Sequence, residues 1–152
     1  MSSLLEKIKS DLTAAQKERD ELLVSTLRYF LSAVKDREIE LRPQGREIDD
    51  VEVVSLIEKQ IKQRKESIAE FEKAQRQDLV EKETKEMGIL SAYMPAQMSE
   101  EEVQKLVDEA VSQSGATTQS DMGKVMALLM PQTKGKADGA MVSRMVKEKL
   151  VG

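Results

Sequence analysis

Asp49-Asp-Val-Glu-Val-Val-Ser-Leu-Ile-Glu-Lys-Gln-Ile-Lys-Gln-Arg-Lys-Glu-Ser-Ile-Ala-Glu-Phe71 is the stretch on which the fold turns. Val54, Ile57, Ile61, Ile68 and Phe71 recur at helical spacing, with Arg64 as one charged intruder, and this stripe predicts a long amphipathic helix. Asp49 or Asp50 supplies its N-cap. A strand would need strict alternation, and no alternating run of useful length occurs anywhere in the chain.

Working upstream, Arg42-Pro-Gln-Gly-Arg46 is a firm break, because proline removes a donor and glycine permits a turn. Before it, Leu23, Leu27, Phe30, Leu31, Val34 and Leu41 form a second helical stripe. Ser2 or Ser3 can cap a first helix carrying Leu4, Ile8, Leu12 and Ala15. The polar stretch 16–21 between these two stripes holds no breaker, so one bent helix and two kinked helices both stay open.

Downstream, a fourth helix is expected from about Asp78 to Tyr93, and its separation from the third near 74–77 is also open. Met94-Pro-Ala-Gln-Met98 reads as a connector. Ser99-Glu-Glu-Glu102 then has the pattern of a capping box, with three acids suited to a helix start. Its helix carries Val103, Leu106, Val107, Ala110 and Val111 and ends at Gly115. Ser120 or Asp121 caps the next helix, which Pro131 stops, and Asp138 caps the last. Five of the seven glycines fall in 115–152, where short helices replace long charged ones. The expected fold is therefore all-α. An N-terminal helical domain (1–95) carrying a long helical hairpin precedes a small C-terminal three-helix domain (96–152).

Composition narrows function. The 152 residues include no Cys, His or Trp and only four aromatics. That excludes thiolate nucleophiles, a Ser-His-Asp triad and the usual structural zinc sites, and leaves carboxylates or lysines as the available bases. No metal site or cofactor is expected. A chain of this length can bury roughly 70% of its unfolded surface. No apolar run approaches a membrane span. With no disulfides to make and no signal pattern at Met1-Ser-Ser-Leu, a cytoplasmic protein is expected.

The net charge of −4 is unevenly spread: residues 121–152 hold six basic and three acidic residues, a local +3. Within this tail, Lys134-Gly-Lys136 precedes a helix start at Asp138 and offers two cations with loop amides, a place for a phosphate. The competing reading is a tight turn with solvated lysines. The GxxxxGK[ST] spacing of a P-loop is missing. Gly123 within a helix costs about 1 kcal/mol against Ala and predicts a close backbone neighbour. Met122, Met126 and Met130, continued by Met141 and Met145, read as core filling, or else as an adaptable groove for a partner helix.

Three charges look misplaced. Arg64 lies amid the apolar arc of its helix, and Arg76 and Glu83 lie amid the arc of Leu79, Val80, Met87 and Leu90. A buried charge needs a partner, so Arg64 or Arg76 is expected to pair with Glu83 across the hairpin as a structural ion pair. A polar cleft open to a ligand is the functional alternative. Lys59, Lys62 and Lys65 alternate with Glu58, Glu66 and Glu70 as a solvated face. Tyr29, Phe30, Phe71 and Tyr93 fall mostly on apolar arcs and offer no stacking platform for a single strand.

Asp121-Met-Gly-Lys-Val-Met126, Met130-Pro131 and Lys134-Gly-Lys-Ala-Asp-Gly139 together resemble the signature of the YqeY proteins, stand-alone relatives of the tail domain of GatB in the tRNA-dependent amidotransferase. Lys62-Gln-Arg-Lys-Glu-Ser67, Arg76-Gln-Asp-Leu79 with Glu83 and Glu86, and Tyr93-Met-Pro95-Ala-Gln97 also match. So does 28–42, which looks like the family's second helix. The resemblance covers essentially the whole chain, with Met94 and Met98 standing where leucine is common. It implies an all-α protein of two helical domains. It also implies tRNA as the partner, or an amidotransferase or another protein, since the tail domain is associated with tRNA binding. The carbon–nitrogen ligase label follows the family name only, because the kinase-like and glutaminase parts are missing here, and no catalytic residue is assigned. The expected function is non-catalytic tRNA binding, with Lys124, Lys134, Gly135, Lys136, Gly139, Arg144 and Lys147 as contact residues. A protein–protein adaptor and an accessory to amide transfer are the alternatives.

Overall fold

The computed structural model describes residues 2–150, so the outermost residues of the two expected domains, 1 and 151–152, lie outside the described residues. The described chain is all helix and turn. It divides into two compact units, Met1–Met94 and Pro95–Gly152. No helix among the described residues is long and apolar enough to cross a membrane.

The first unit holds four helices: α1 (Ser3–Glu18), α2 (Glu21–Leu41), α3 (Asp50–Lys73) and α4 (Gln77–Ser91). Helices α1 and α2 are separate. Arg19 adopts a left-handed φ of 59° and ends α1, and the Asp20 carboxylate accepts from the Leu23 amide to start α2. Gln75, at φ 55°, likewise separates α3 from α4. Neither position is a glycine, which is why no breaker marks these turns in the sequence. Asp49 caps α3 by accepting from the Glu52 amide at 2.8 Å. Asp50 faces the other way. Its carboxylate accepts from the Leu4 amide and the Ser3 hydroxyl, both at 3.1 Å, and from the Ser2 hydroxyl. It thereby ties the start of α1 to the start of α3.

The core of this unit gathers Ile8, Leu27, Phe30, Leu41, Val53, Ile57 and Leu90, all fully buried. Each such side chain contributes about 1.5–3 kcal/mol over exposure. The buried residues of α3 are Val53, Val54, Ile57, Gln60 and Arg64. Ile61, Ile68 and Phe71, expected among them, are only half-buried.

The second unit holds α5 (Glu100–Ser114), α6 (Met122–Thr133) and α7 (Gly139–Lys149) around Val103, Val107, Val125, Leu129, Val142 and Val146. Ser99 caps α5 through the Glu102 amide at 3.1 Å. The reciprocal capping box forms elsewhere, between Thr118 and Asp121 in the turn that leads into α6. Pro131 does not stop α6. It sits within the helix, which runs on to Thr133. The Gly123 expectation fails too: a Cβ there would meet nothing within 4 Å, so no backbone approaches it. Of the methionines, Met145 is buried, Met122, Met126 and Met141 are half-buried against the core, and Met130 is 46% exposed.

Candidate functional site

Two groups of residues carry the chemistry, one in each unit. In the second unit, Lys134 ends α6, Gly135 takes a positive φ of 79°, and Lys136 leads toward the cap of α7. A side chain at φ 79° would be strained, so glycine suits this turn. The loop is fastened at two points: Gln97 Nε2 donates to the Gly135 carbonyl at 3.0 Å, and the Met98 amide donates to the Lys136 carbonyl at 2.7 Å. The connector at 95–98 thus hydrogen-bonds to two carbonyls of the loop.

This arrangement corrects the expectation of a flexible, amide-lined anion cradle. The amides of Lys134, Lys136 and Ala137 are already spent on the carbonyls of Met130 and Thr133. At the start of α7 the Asp138 carboxylate takes the Ala140 amide at 3.2 Å, which puts a negative charge where an anion would sit. What the loop offers is two exposed ammonium groups on a fixed mount. Gly139, exposed, begins α7 behind the Asp138 cap.

Among the described residues, Lys134, Lys136 and Lys147 have no carboxylate within ion-pair distance. Lys124 has Asp121 at 3.8 Å, and Arg144 has Glu148 at 3.9 Å. Both are exposed pairs, worth little in water. Asp121 is held below the usual carboxylate range by the amides of Thr117 and Thr118 before Lys124 adds to the effect. The structure therefore puts Lys134, Gly135 and Lys136 on one loop and Arg144 and Lys147 one turn apart on α7.

In the first unit, Arg64 Nη1 donates to Glu83 at 3.0 Å and to Glu86. Arg64 and Glu86 are buried, at 9% and 8% exposure. Arg76 is not part of this group. It lies in the exposed turn before α4 and pairs locally with Asp78 at 3.0 Å, because the turn at Gln75 takes it off the helical arc of Leu79 and Val80. Glu86 is a partner that sequence reasoning does not single out. Its signals are its place in the pattern shared with the YqeY proteins and its position one turn before the fully buried Leu90.

The pair of carboxylates and Arg64 form one wall of a polar cavity of about 420 Å³ among α2, α3 and α4. Gln60, one turn before Arg64, is also buried and lines the same space. Gln60 Oε1 and Arg64 Nε are buried without a hydrogen-bond partner. Each such atom costs about 1–3 kcal/mol. The ring of Tyr29 is 63% exposed and lies over the Arg64 guanidinium at 5.8 Å. Phe30 beside it takes the core position instead.

Among the described residues, no cluster of three carboxylates could hold a metal ion.

Comparison with known proteins adds a family and a set of relatives. The chain is similar to "Altered inheritance of mitochondria protein 41, mitochondrial" of Kluyveromyces lactis, with 42% identity over 89 residues, covering 59% of this chain and 47% of the relative. The protein of the same name from Lachancea thermotolerans is 41% identical over 87 residues, covering 57% and 46%. That from Saccharomyces cerevisiae is 37% identical over 114 residues, covering 71% and 60%. The chain thus spans about half to three fifths of the length of these relatives. Their names place them in mitochondria, which overturns the expectation of a cytoplasmic protein. Lack of cysteine excludes disulfides but does not distinguish one reducing compartment from another. The model of the family described as "Yqey-like protein" matches residues 5–150, nearly the whole chain, and so the chain belongs to the YqeY family.

Proposed function

We propose that the protein binds tRNA through the second unit, by phosphate contacts from Lys134 and Lys136, with Lys147, Arg144 and Lys124 at the margin. The observation that carries this reading is that the two loop lysines are exposed and unpaired among the described residues, on a loop fixed by Gln97 and Met98. A cation already held by a carboxylate must give up that partner to meet a phosphate, and these two need not. The contacts are side-chain contacts only, since most of the loop amides are spent. Such binding tracks backbone and shape rather than base sequence. A mitochondrial setting, carried over from the relatives' names, belongs to the same proposal.

A salt titration of tRNA affinity tests it. Removing one phosphate-binding cation lowers the slope of log K against log salt by about one unit, so Lys134→Ala/Lys136→Ala lowers it by about two. An unchanged affinity and slope would sink the assignment.

A second reading, an adaptor that docks a protein partner, rests on Leu128 and Met130 of α6, which are 38% and 46% exposed. Association with a protein that is indifferent to salt, with no tRNA retained, would favour it. An accessory role in amide transfer predicts a faster transamidation reaction when the protein is added.

A further inference from the structure

Lys136 is joined to its neighbours by two peptide groups, and each is held at both ends. In the peptide between Gly135 and Lys136, the amide donates to the Thr133 carbonyl at 2.9 Å and the carbonyl accepts from Gln97 Nε2 at 3.0 Å. In the peptide between Lys136 and Ala137, the amide donates to the same Thr133 carbonyl at 2.9 Å and the carbonyl accepts from the Met98 amide at 2.7 Å. Two oriented peptide planes set φ and ψ at the residue between them, and so the direction in which its side chain leaves the backbone. Three of these four bonds join backbone groups. The fourth is made by a side chain, that of Gln97.

Glutamine suits the task. Its Nε2 carries two protons, and they go to the carbonyls of Gly135 and Pro95, at 3.0 and 3.1 Å. A carboxylate or an apolar group at this position could donate to neither. Gly135 is buried, so its carbonyl has no ready substitute for that donor. Having no Cβ, Gly135 lets the peptide that follows it turn toward water once the donor is gone, and the turn carries Lys136 with it. Lys134 is placed differently: its amide is held by the Met130 carbonyl at the end of α6, at 3.0 Å. Gln97 itself is exposed and lies outside the basic stretch 121–152.

We infer that Gln97 is a positioning residue for the polyanion site, which acts by aiming Lys136. It carries no charge and touches no phosphate. The inference rests on the tRNA reading above and adds to it a contribution separate from charge. A cation whose backbone is already oriented loses less freedom when it meets a phosphate, so it binds more tightly than the same charge on a loosely held loop.

The test compares tRNA affinity and its salt dependence for the full chain, Gln97→Met, Lys134→Ala, Lys136→Ala and the two double variants that join Gln97→Met to each lysine change. Methionine keeps the length of glutamine and removes the donor. Gln97→Met should weaken binding about fivefold, the worth of one hydrogen bond. It should leave the slope of log K against log salt unchanged, because no charge is lost. Beside Lys136→Ala the same change should cost nothing further, whereas beside Lys134→Ala the two losses should add. In the absence of RNA, amide exchange should quicken at Lys136 and Ala137 and stay as it was within α5 and α7. No tRNA bound by the unaltered chain would sink the tRNA reading and this inference with it. Binding that is equal for the unaltered chain and Gln97→Met would overturn the inference alone. So would a slope lowered by Gln97→Met, losses that add with Lys136→Ala, or unchanged exchange at Lys136 and Ala137.

Discussion

Arg64 and Glu86 are taken out of water in the first unit, whereas every charged side chain among the described residues of the second unit keeps some exposure. The buried polar residues of the first unit are Ser2, Thr26, Gln60, Arg64 and Glu86. Among its described residues the second unit has only Thr133, whose hydroxyl is returned to the Leu129 carbonyl of its own helix. The contrast separates two uses of charge. A buried charge is held by specific partners, and removing one leaves the others exposed to a large desolvation cost. An exposed charge costs little to keep or to lose, and it is available to an outside partner. The first unit commits its misplaced charges to an interior wall. The second presents its basic excess to solvent, with Lys134 and Lys136 on a loop hydrogen-bonded to Gln97 and Met98.

The largest effect that would sharpen this contrast is expected at Arg64. Arg64→Met leaves Glu83 and Glu86 without their cation and should destabilise the protein by about 3–5 kcal/mol. Chemical denaturation measures this directly, and an unchanged midpoint would mean that the two carboxylates are satisfied in some other way. Next comes Leu129→Ala, which opens a cavity in the fully buried centre of α6 and should cost about 2–5 kcal/mol. Hydrogen exchange should show protection lost in α5, α6 and α7 and kept in α1–α4. Equal loss in all seven helices would break the description of two separately cored units.

A smaller difference is expected in acid. In the first unit four carboxylates are held below their usual range: Asp11 by the Tyr93 hydroxyl, Asp50 by the Ser2 hydroxyl, Glu52 by Arg37 and Asp78 by Arg76. Asp121 is the corresponding group in the second unit. A carboxylate with a depressed folded pKa contributes stability that is fully present above its unfolded value, about 4. That contribution disappears as pH falls through the folded value. All five are largely solvent-screened, so each contributes modestly. Below pH about 4 the first unit should therefore lose stability more steeply than the second. Asp50→Asn should flatten that dependence. Equal slopes in the two units would contradict the assignment.

Local signals in the sequence are legible where one helix settles the matter. Ser2, Ser99 and Asp138 cap the helices they precede, since a cap needs only a side chain and an amide two or three residues on. Arg64 stands out as a charge on an apolar arc. What the sequence does not reveal depends on how helices meet. Glu86 becomes a partner of Arg64 only through the register of α3 against α4. The same register makes Gln60 part of the buried seam, although its spacing of three from Ile57 and four from Arg64 is a readable signal. Helical spacing places Phe30, not Tyr29, on the stripe of Leu23, Leu27 and Val34, and Phe30 is the one that is buried. Arg76 escapes its expected place because the turn at Gln75 uses a left-handed residue that is not glycine. The amides of 134–137 look free in the sequence, but the way α6 ends decides their partners.

Under the proposed function the loop at Lys134–Lys136 docks a polyanion that the overall charge of −4 would disfavour. The direct measurement is the RNA recovered with the full chain when it is purified at low and at high salt, beside Lys134→Ala/Lys136→Ala. We predict tRNA with the unaltered chain at low salt, its release as salt rises, and markedly less of it with the double variant. No RNA at low salt, or equal retention by both proteins, would contradict the account.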